Sequence, residues 1–204
     1  METKIYQENN YLNMIDDLLQ GEVVGFPTET VYGLAIVYDN KEAFNKLYQI
    51  KNRSITKPIS MMVADVKQIE KVGFVNEKIK RVIDALMPGS LTIIIKAKNN
   101  LPEHVTFNKP TIGIRIPSNK EALEILKKVN VPLLVTSANI SNEKSLSKYL
   151  DVYQKFNGQI ASLLAKDANS LTASTVVDLS EDKVNVLREG PIRKEEIEKV
   201  FKGE

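Results

Sequence analysis

The sequence contains no cysteine and a single histidine, His104, among its 204 residues. The missing cysteine excludes disulfides, thiolate nucleophiles and cysteine-ligated metals in this chain. One histidine cannot build a multi-histidine metal centre. His104 lies in the segment LPEHVTF, which reads as a loop, and a structural or incidental role is the simpler interpretation. No metal-binding residue is therefore predicted.

Long apolar runs and a strong charge imbalance are missing as well. No apolar run approaches the roughly 20 residues that a membrane-spanning helix needs, and the first ten residues lack the apolar core of a signal peptide. The sequence therefore predicts a cytoplasmic protein. The net charge is only +2, so any contact with nucleic acid requires a local basic patch.

What the chain does contain is typical of a globular protein, with 43% hydrophobic and 26% charged residues. This length is enough for one sizeable core, and a single domain over residues 1–204 is predicted, with its core at about 8–201. Apolar residues at helical spacing alternate with short apolar strands. The pattern predicts an α/β fold, a twisted mixed sheet flanked by helices.

The individual elements follow from the same periodicity, from turn residues and from β-branched runs such as LTIIIK. Helices are predicted near residues 11–19, 43–50, 66–72, 79–87, 120–129, 147–156 and 192–201. Strands are predicted near residues 23–26, 59–63, 91–96, 111–116, 131–135, 160–164, 174–179 and 184–188.

The segment KNRSITKP, residues 51–58, concentrates positive charge. Its cations are Lys51, Arg53 and Lys57. The preceding motif FPTETVYGLA supplies three hydroxyls, from Thr28, Thr30 and Tyr32. Fixed cations beside hydroxyl donors suit a polyanionic small ligand, and a nucleoside triphosphate is the obvious candidate. The alternative is an ordinary solvated surface loop.

Two further segments place polar groups at strand ends. The motif TSANIS follows a buried strand with Thr136, Ser137, Asn139 and Ser141, at the position where open α/β sheets bind ligands. A polar turn explains the same residues equally well. The segments ASTVVD and LREG again bring hydroxyls and an arginine to strand ends.

An arginine occupies the middle of the apolar strand GIRIP. Burying the Arg115 guanidinium is costly unless an anionic group pairs with it. An internal carboxylate satisfies that need, and so does the carboxylate or phosphate of a ligand. Both interpretations stay open from the residues alone.

Seven motifs occur in an order that resembles the YrdC-like family of threonylcarbamoyl-adenylate synthases, from about residue 21 to 190. They read FPTETVYGL, KNRSITKP, PGSLT, GIRIP, TSANIS, STVVD and REG. The chain departs from the family pattern at Asn142, where glycine is usual, and at Ala35, where glycine is common. Asparagine tolerates positive φ better than most residues, so the loop is expected to survive. The chain ends at Glu204, which resembles the short, single-domain form.

The resemblance implies a YrdC-type fold with one concave, positively charged cavity. It also implies a nucleotidyltransferase that joins L-threonine, bicarbonate and ATP into threonylcarbamoyl-AMP and pyrophosphate, with Mg²⁺ accompanying ATP. The product would modify the adenosine next to the anticodon of tRNA, with tRNA and partner proteins as further contacts. Residues 142–147 are the candidate mobile loop.

The family motifs also imply residue roles. Lys51 and Arg53 would be catalytic, and both would be exposed, so their replacement should reduce turnover without harming the fold. The ATP-binding set would be Lys51, Arg53, Lys57, Ser137, Asn139 and Arg188. The threonine-binding set would be Thr28, Thr30, Tyr32, Arg115, Thr136 and Ser174. Acceleration would come from charge stabilisation and from holding the substrates in line rather than from a protein nucleophile.

Two other functions compete with the synthase. A non-catalytic module could bind tRNA or double-stranded RNA through phosphate contacts, with strong salt dependence. Hydroxyls buried at strand ends favour the enzyme. A different carbamoyl-adenylate-forming enzyme, like the related domain of hydrogenase-maturation carbamoyltransferases, is the other alternative; those proteins carry zinc-finger cysteines that this sequence lacks.

Overall fold

A computed structural model describes residues 2–204, and within them ten strands form one mixed sheet. The strands are β1 (Lys4–Tyr6), β2 (Val24–Phe26), β3 (Gly33–Val37), β4 (Ser60–Met62), β5 (Leu91–Lys96), β6 (Thr111–Arg115), β7 (Leu133–Ser137), β8 (Ser162–Leu164), β9 (Thr175–Asp178) and β10 (Asn185–Arg188). Their order across the sheet is β1-β8-β2-β3-β7-β4-β6-β5-β9-β10. The predicted mixed sheet flanked by helices is confirmed.

Eight α-helices are present in the described residues. They are α1 (Met14–Leu19), α2 (Lys41–Ile50), α3 (Val66–Val72), α4 (Glu77–Leu86), α5 (Glu103–Thr106), α6 (Lys120–Val129), α7 (Tyr149–Phe156) and α8 (Lys194–Lys202). Several begin at an Asn or Asp whose side chain accepts a hydrogen bond from a first-turn amide, which supplies one of the partners that helix starts lack. These N-caps are Asn40, Asp65, Asn76 and Asn119. None of the helices in residues 2–204 has the length and apolarity that a membrane crossing needs.

The helices cover the two faces of the sheet unequally. Apolar side chains of α2, α3, α4, α7 and α8 pack with one face in the larger core. The smaller core joins α1 and α6 to β2, β3, β7, β8 and the end of β4. On this second face, no residue of β5, β6 or β9 belongs to the smaller core. A concave area of bare sheet is left there.

Alternation along β5 shows how one strand serves both faces. Leu91, Ile93 and Ile95 are fully buried in the larger core. Thr92 and Ile94 point to the opposite, uncovered side and line a cavity. Because successive side chains of a strand point to opposite faces, the same apolar run can support the core and the cavity wall.

Three elements differ from the sequence-based expectations. β1 lies before residue 8 and pairs in parallel with β8, so the sheet extends beyond the expected core. β3 begins at Gly33, inside the motif FPTETVYGLA and directly after the last of its three hydroxyl residues, where no separate strand was predicted. The expectation that His104 lies in a loop is wrong, since it belongs to α5. Its Nε2 lies 3.0 Å from the Tyr38 carbonyl and its ring packs on Phe44, in agreement with a structural role.

Candidate functional site

A cavity of about 470 Å³ lies over the uncovered face of the sheet. Its wall is built from β3, β7, β4, β6, β5, β9 and β10 and from the segments that precede β3, β4, β6 and β9. Predicted residues on the wall are Thr28, Thr30, Tyr32, Arg53, Arg115, Thr136, Ser137, Ser174 and Arg188. Several separate segments of the chain therefore converge on one space.

Four cations line this cavity: Arg53, Lys109, Arg115 and Arg188. Among the residues that the structure describes, no aspartate or glutamate is part of the lining. Of these four cations, Arg115 alone forms an ion pair with a carboxylate of the described residues. The wall therefore offers several positive groups to an anionic ligand.

Arg115 is anchored on three sides and only 6% exposed. Its Nη2 contacts Glu29 Oε1 at 2.6 Å, its Nη1 donates to Thr30 Oγ1 at 3.1 Å, and its Nε donates to the Gly89 carbonyl at 3.1 Å. Sequence reasoning left an internal carboxylate and a ligand as alternative partners. The internal carboxylate exists, and it is Glu29. The guanidinium has five N–H groups, so two remain for a ligand.

Thr30 and Thr28 continue the same hydrogen-bonded chain. Thr28 Oγ1 donates to the Val31 carbonyl at 2.7 Å and accepts from the Thr30 amide at 3.1 Å. Because the hydroxyl hydrogen of Thr28 is already used in the bond to Val31, Thr30 must be the donor in the 2.8 Å contact between the two hydroxyls. Thr30 in turn accepts from Arg115. Both hydroxyls are thereby oriented before any ligand arrives.

Ser174 and Arg188 form a second polar pair on the wall. Arg188 donates from Nε to the Ser174 carbonyl at 3.0 Å and from Nη2 to Ser174 Oγ at 3.1 Å. Thr92 Oγ1 lies 2.9 Å from the same hydroxyl. Burial and the nearby Arg115 lower the pKa of Arg188. The positive charge of Arg115 therefore disfavours the charged form of Arg188.

Arg53 and Lys109 mark another end of the cavity. Arg53 donates from Nε to the Lys57 carbonyl at 3.0 Å and from Nη2 to the Pro58 carbonyl at 2.8 Å. β4 and β6 run in parallel with Met61 opposite Ile114. Lys109 precedes β6 and lines the same cavity as Arg53.

Lys57 does not line the cavity, and its Nζ lies 3.3 Å from Asn142 Oδ1. Asn142 has φ of +74°, so the left-handed conformation expected of the residue that replaces glycine is confirmed. Asn139 also lies off the wall. Its amide nitrogen donates to the Ile140 and Glu143 carbonyls, and its Oδ1 accepts from Ser137 Oγ. Asn139 therefore shapes the loop rather than facing the cavity.

The expected exposure of Lys51 is wrong, because this residue is 1% exposed. It does not line the cavity; its Nζ donates to the backbone carbonyls of Ser137 and Asn139. Burial, together with the Arg53 charge, lowers the pKa of Lys51 to about 7. Lys51 is the C-cap residue of α2, and its side chain contacts the loop that follows β7.

Tyr32 is also turned inward. Its residue lines the cavity, but its hydroxyl donates to the Leu164 carbonyl and the residue is 0% exposed. Burial raises the pKa of the Tyr32 phenol well above its usual value. The backbone of Tyr32 pairs with Leu146 and Ala138, so the residue ties the loop after β7 to the hydroxyl-rich motif.

Sequence reasoning missed three residues at the site: Glu29, Thr92 and Lys109. Glu29 stands inside the quoted motif FPTETVYGL and Thr92 inside PGSLT, so both could have been found. Lys109 lies outside every motif, and only the folded structure shows that it lines the cavity.

Comparison with known proteins adds to this geometry. The family model Sua5_yciO_yrdC, described as telomere recombination, matches residues 16–190. That match spans most of the chain. This chain belongs to the Sua5/YciO/YrdC family.

Relatives of this family member are similar over most of its length. It is 36% identical over 187 residues to a Bacillus subtilis protein named threonylcarbamoyl-AMP synthase, covering 90% of this chain and 54% of that protein. It is 36% identical over 182 residues to a Methanocaldococcus jannaschii protein named putative threonylcarbamoyl-AMP synthase, covering 87% and 85%. The chain thus spans about half the length of the first relative and most of the second.

The structural likeness is close too. The crystal structure of P. abyssi Sua5 complexed with L-threonine has a TM-score of 0.91 and 28% sequence identity. The match covers 98% of this chain and 61% of that one. This family member therefore has the fold of a protein that binds threonine.

Proposed function

We propose that this family member is a threonylcarbamoyl-AMP synthase. The observation that carries the proposal is one cavity that combines a hydroxyl-guanidinium cluster around Arg115 with free cations at Arg53 and Lys109. A zwitterionic amino acid suits the first group and a polyphosphate suits the second. The names of the two curated relatives and the threonine-bound Sua5 structure support the same assignment.

The Arg115 end of the cavity is the proposed threonine site. Two unused N–H groups of Arg115 would bind the threonine carboxylate, because the buried guanidinium still forms part of the cavity wall. Thr28, Thr30, Thr136 and Ser174 would surround the amino acid. Glu29 holds the guanidinium still, so little reorganisation is needed when the carboxylate arrives.

The chemistry requires the threonine amine to react unprotonated with bicarbonate. A C–N bond forms, water leaves, and an N-carboxylated threonine results. Its carbamate oxygen then attacks the α-phosphorus of ATP, and the bond to the leaving pyrophosphate breaks. Negative charge moves onto the phosphate oxygens, where fixed cations stabilise the transition state. The protein contributes position and charge rather than a nucleophile.

Arg53 and Lys109 form the proposed polyphosphate site on the wall, and Lys57 would have to turn away from Asn142 to join it. Ser137 and Arg188 would hold the remainder of the nucleotide. Mg²⁺ would enter with ATP as part of the substrate, bound mainly by phosphate oxygens. Ser137 donates its proton to Asn139, so it offers lone pairs to a ligand in this arrangement. It would donate to a phosphate only after its hydroxyl rotates.

The product would pass to tRNA for modification of the adenosine next to the anticodon, with partner proteins completing the transfer. This role would place the protein in the cytoplasm. Neither step is needed to test the synthase itself.

Pyrophosphate release by the purified protein tests the proposal. We expect release from ATP and Mg²⁺ that depends on both L-threonine and bicarbonate, with L-serine a much weaker substrate. Mass spectrometry of the quenched mixture should find threonylcarbamoyl-AMP. Arg115→Ala should raise the threonine requirement more than the ATP requirement. Release that ignores threonine, or none at all beside salt-sensitive tRNA binding, would reject the synthase.

A further inference from the structure

We propose that Lys51 is a positioning residue that clamps residues 137–141, here called the clamped loop, and that it does not contact the phosphates of ATP. The inference deepens the proposed function and rests on it for the identity of the nucleotide. It concerns the lysine that the family motif would otherwise assign to phosphate binding.

The clamp has contacts at three points. The Lys51 ammonium donates to the carbonyls of Ser137 and Asn139, the latter at 2.6 Å. In return, the Ser141 amide donates to the Lys51 carbonyl at 2.9 Å. One residue at the end of α2 therefore holds the loop at its start, middle and end, although 86 residues or more separate them in sequence.

The ammonium of Lys51 is buried and paired away from the cavity wall. Lys51 is 1% exposed and is absent from the cavity wall, whereas the neighbouring Arg53 lines it. A buried ammonium is stable only when its N–H groups find acceptors, and the two carbonyls supply them. Moving Nζ to a phosphate would leave both carbonyls of the clamped loop without this donor.

Within the clamped loop, Ser137 is the residue that lines the cavity. Ser137 ends β7, lines the cavity, and orients its hydroxyl against Asn139. Asn139 is in turn held by the Ile140 and Glu143 carbonyls. Release of the loop would displace Ser137, and displacements of about 1 Å in a binding site can cost on the order of 100-fold in rate.

Chemical labelling of the unmodified protein separates a clamp from a phosphate contact. Acetic anhydride reacts with neutral amines, so at pH above about 7 the reactivity of Lys51 is limited by access rather than by protonation. We expect Lys51 to be acetylated far more slowly than Lys57 and Lys109. Added inorganic tripolyphosphate should protect Lys109, which lines the cavity, and leave the rate at Lys51 unchanged. Fast labelling of Lys51 that tripolyphosphate suppresses would overturn the clamp.

Substitution gives a second, independent test. Lys51→Met removes the donor and keeps an unbranched side chain, and Arg53→Met is the matched control on the cavity wall. If Lys51 is a clamp, K51M binds tripolyphosphate within about twofold of the unmodified protein, whereas R53M loses roughly tenfold, the effect of one charge-assisted contact. K51M should lower kcat and should speed hydrogen exchange at the Ser141 amide. A tenfold loss of tripolyphosphate binding in K51M with unchanged exchange contradicts the proposal.

The two tests also separate this inference from the proposed function. Labelling of the unmodified protein, with and without tripolyphosphate, needs no turnover and no variant of Lys51, so it decides the clamp even if K51M fails to fold. Threonine-dependent pyrophosphate release by the unmodified protein decides the synthase. A clamp without synthase activity would leave the inference standing and reject the function.

Discussion

The ion pair between Arg115 and Glu29 is expected to be the largest single electrostatic contribution to stability at the site. The side chains are only 7% and 13% exposed and their charged atoms lie 2.6 Å apart. At an effective dielectric constant of about 20, Coulomb's law gives an attraction of about 6 kcal/mol, most of which offsets desolvation. Removing one partner of such a pair typically destabilises a protein by about 3–5 kcal/mol.

Arg115→Met would leave the Glu29 carboxylate alone in the protein, where its second oxygen already has no hydrogen-bond partner among the described residues. A buried carboxylate without a partner can lose its charge by taking up a proton, which at neutral pH costs a glutamate about 4 kcal/mol. We therefore expect R115M to lower the free energy of unfolding by about 4 kcal/mol at pH 7. In R115M the folded state would hold one more proton than the unfolded state. The difference in the free energy of unfolding between R115M and the unmodified protein should therefore shrink as the pH falls towards about 5.

Urea unfolding followed by circular dichroism measures this difference, since the sequence has no tryptophan to serve as a fluorescent probe. Lys80→Met is the matched control, because Lys80 pairs with Asp84 on the surface, both about half exposed, and solvent-exposed ion pairs contribute little to stability. Glu29→Gln keeps an acceptor for Arg115 and should cost about 1–3 kcal/mol. The reasoning would be refuted if R115M lost no more free energy of unfolding than K80M, or if its loss grew at low pH.

Three further outcomes are expected from other parts of the molecule. Gly190→Ala should destabilise the fold by at least about 2 kcal/mol in urea unfolding, because an added Cβ would lie 2.4 Å from the Thr175 amide nitrogen; unchanged stability would contradict this contact. Lys109→Met should raise the KM for ATP several-fold and leave the KM for threonine unchanged, whereas the same change at Lys98, which does not line the cavity, should alter neither. Because burial and Arg53 lower the pKa of Lys51 to about 7, the unfolded chain binds the extra proton between about pH 7 and 10.5. Stability should therefore rise with pH across that window, and K51M should remove this slope.

Sequence periodicity was sufficient for most of the sheet and helices, because those elements bury continuous apolar faces. It failed for β1, which has three residues and pairs with a strand more than 150 positions away. Nothing local distinguishes such a strand from a loop, since its stability comes from the partner. The helix α5 has only four residues and was missed for a similar reason.

The residues at the site were identified more successfully than the directions of their side chains. Nine of the predicted residues line the cavity, yet Lys51 and Tyr32 direct their polar atoms to backbone carbonyls inside the protein. A motif shows which residues lie close together. It does not show which face of the chain each side chain takes, because that depends on helices and strands far away in sequence.

The bare half of the sheet has a consequence for the living cell. Ile94 and Val176 line the cavity and belong to neither core, so they remain without a packing layer until a substrate covers them. Occupancy therefore supplies a missing part of the interior. A ligand at 100 times its Kd adds about 2.7 kcal/mol to the free energy of unfolding. Ligand-bound protein would be degraded more slowly than the free protein, so the substrate concentration would help to set the amount of this protein in the cell.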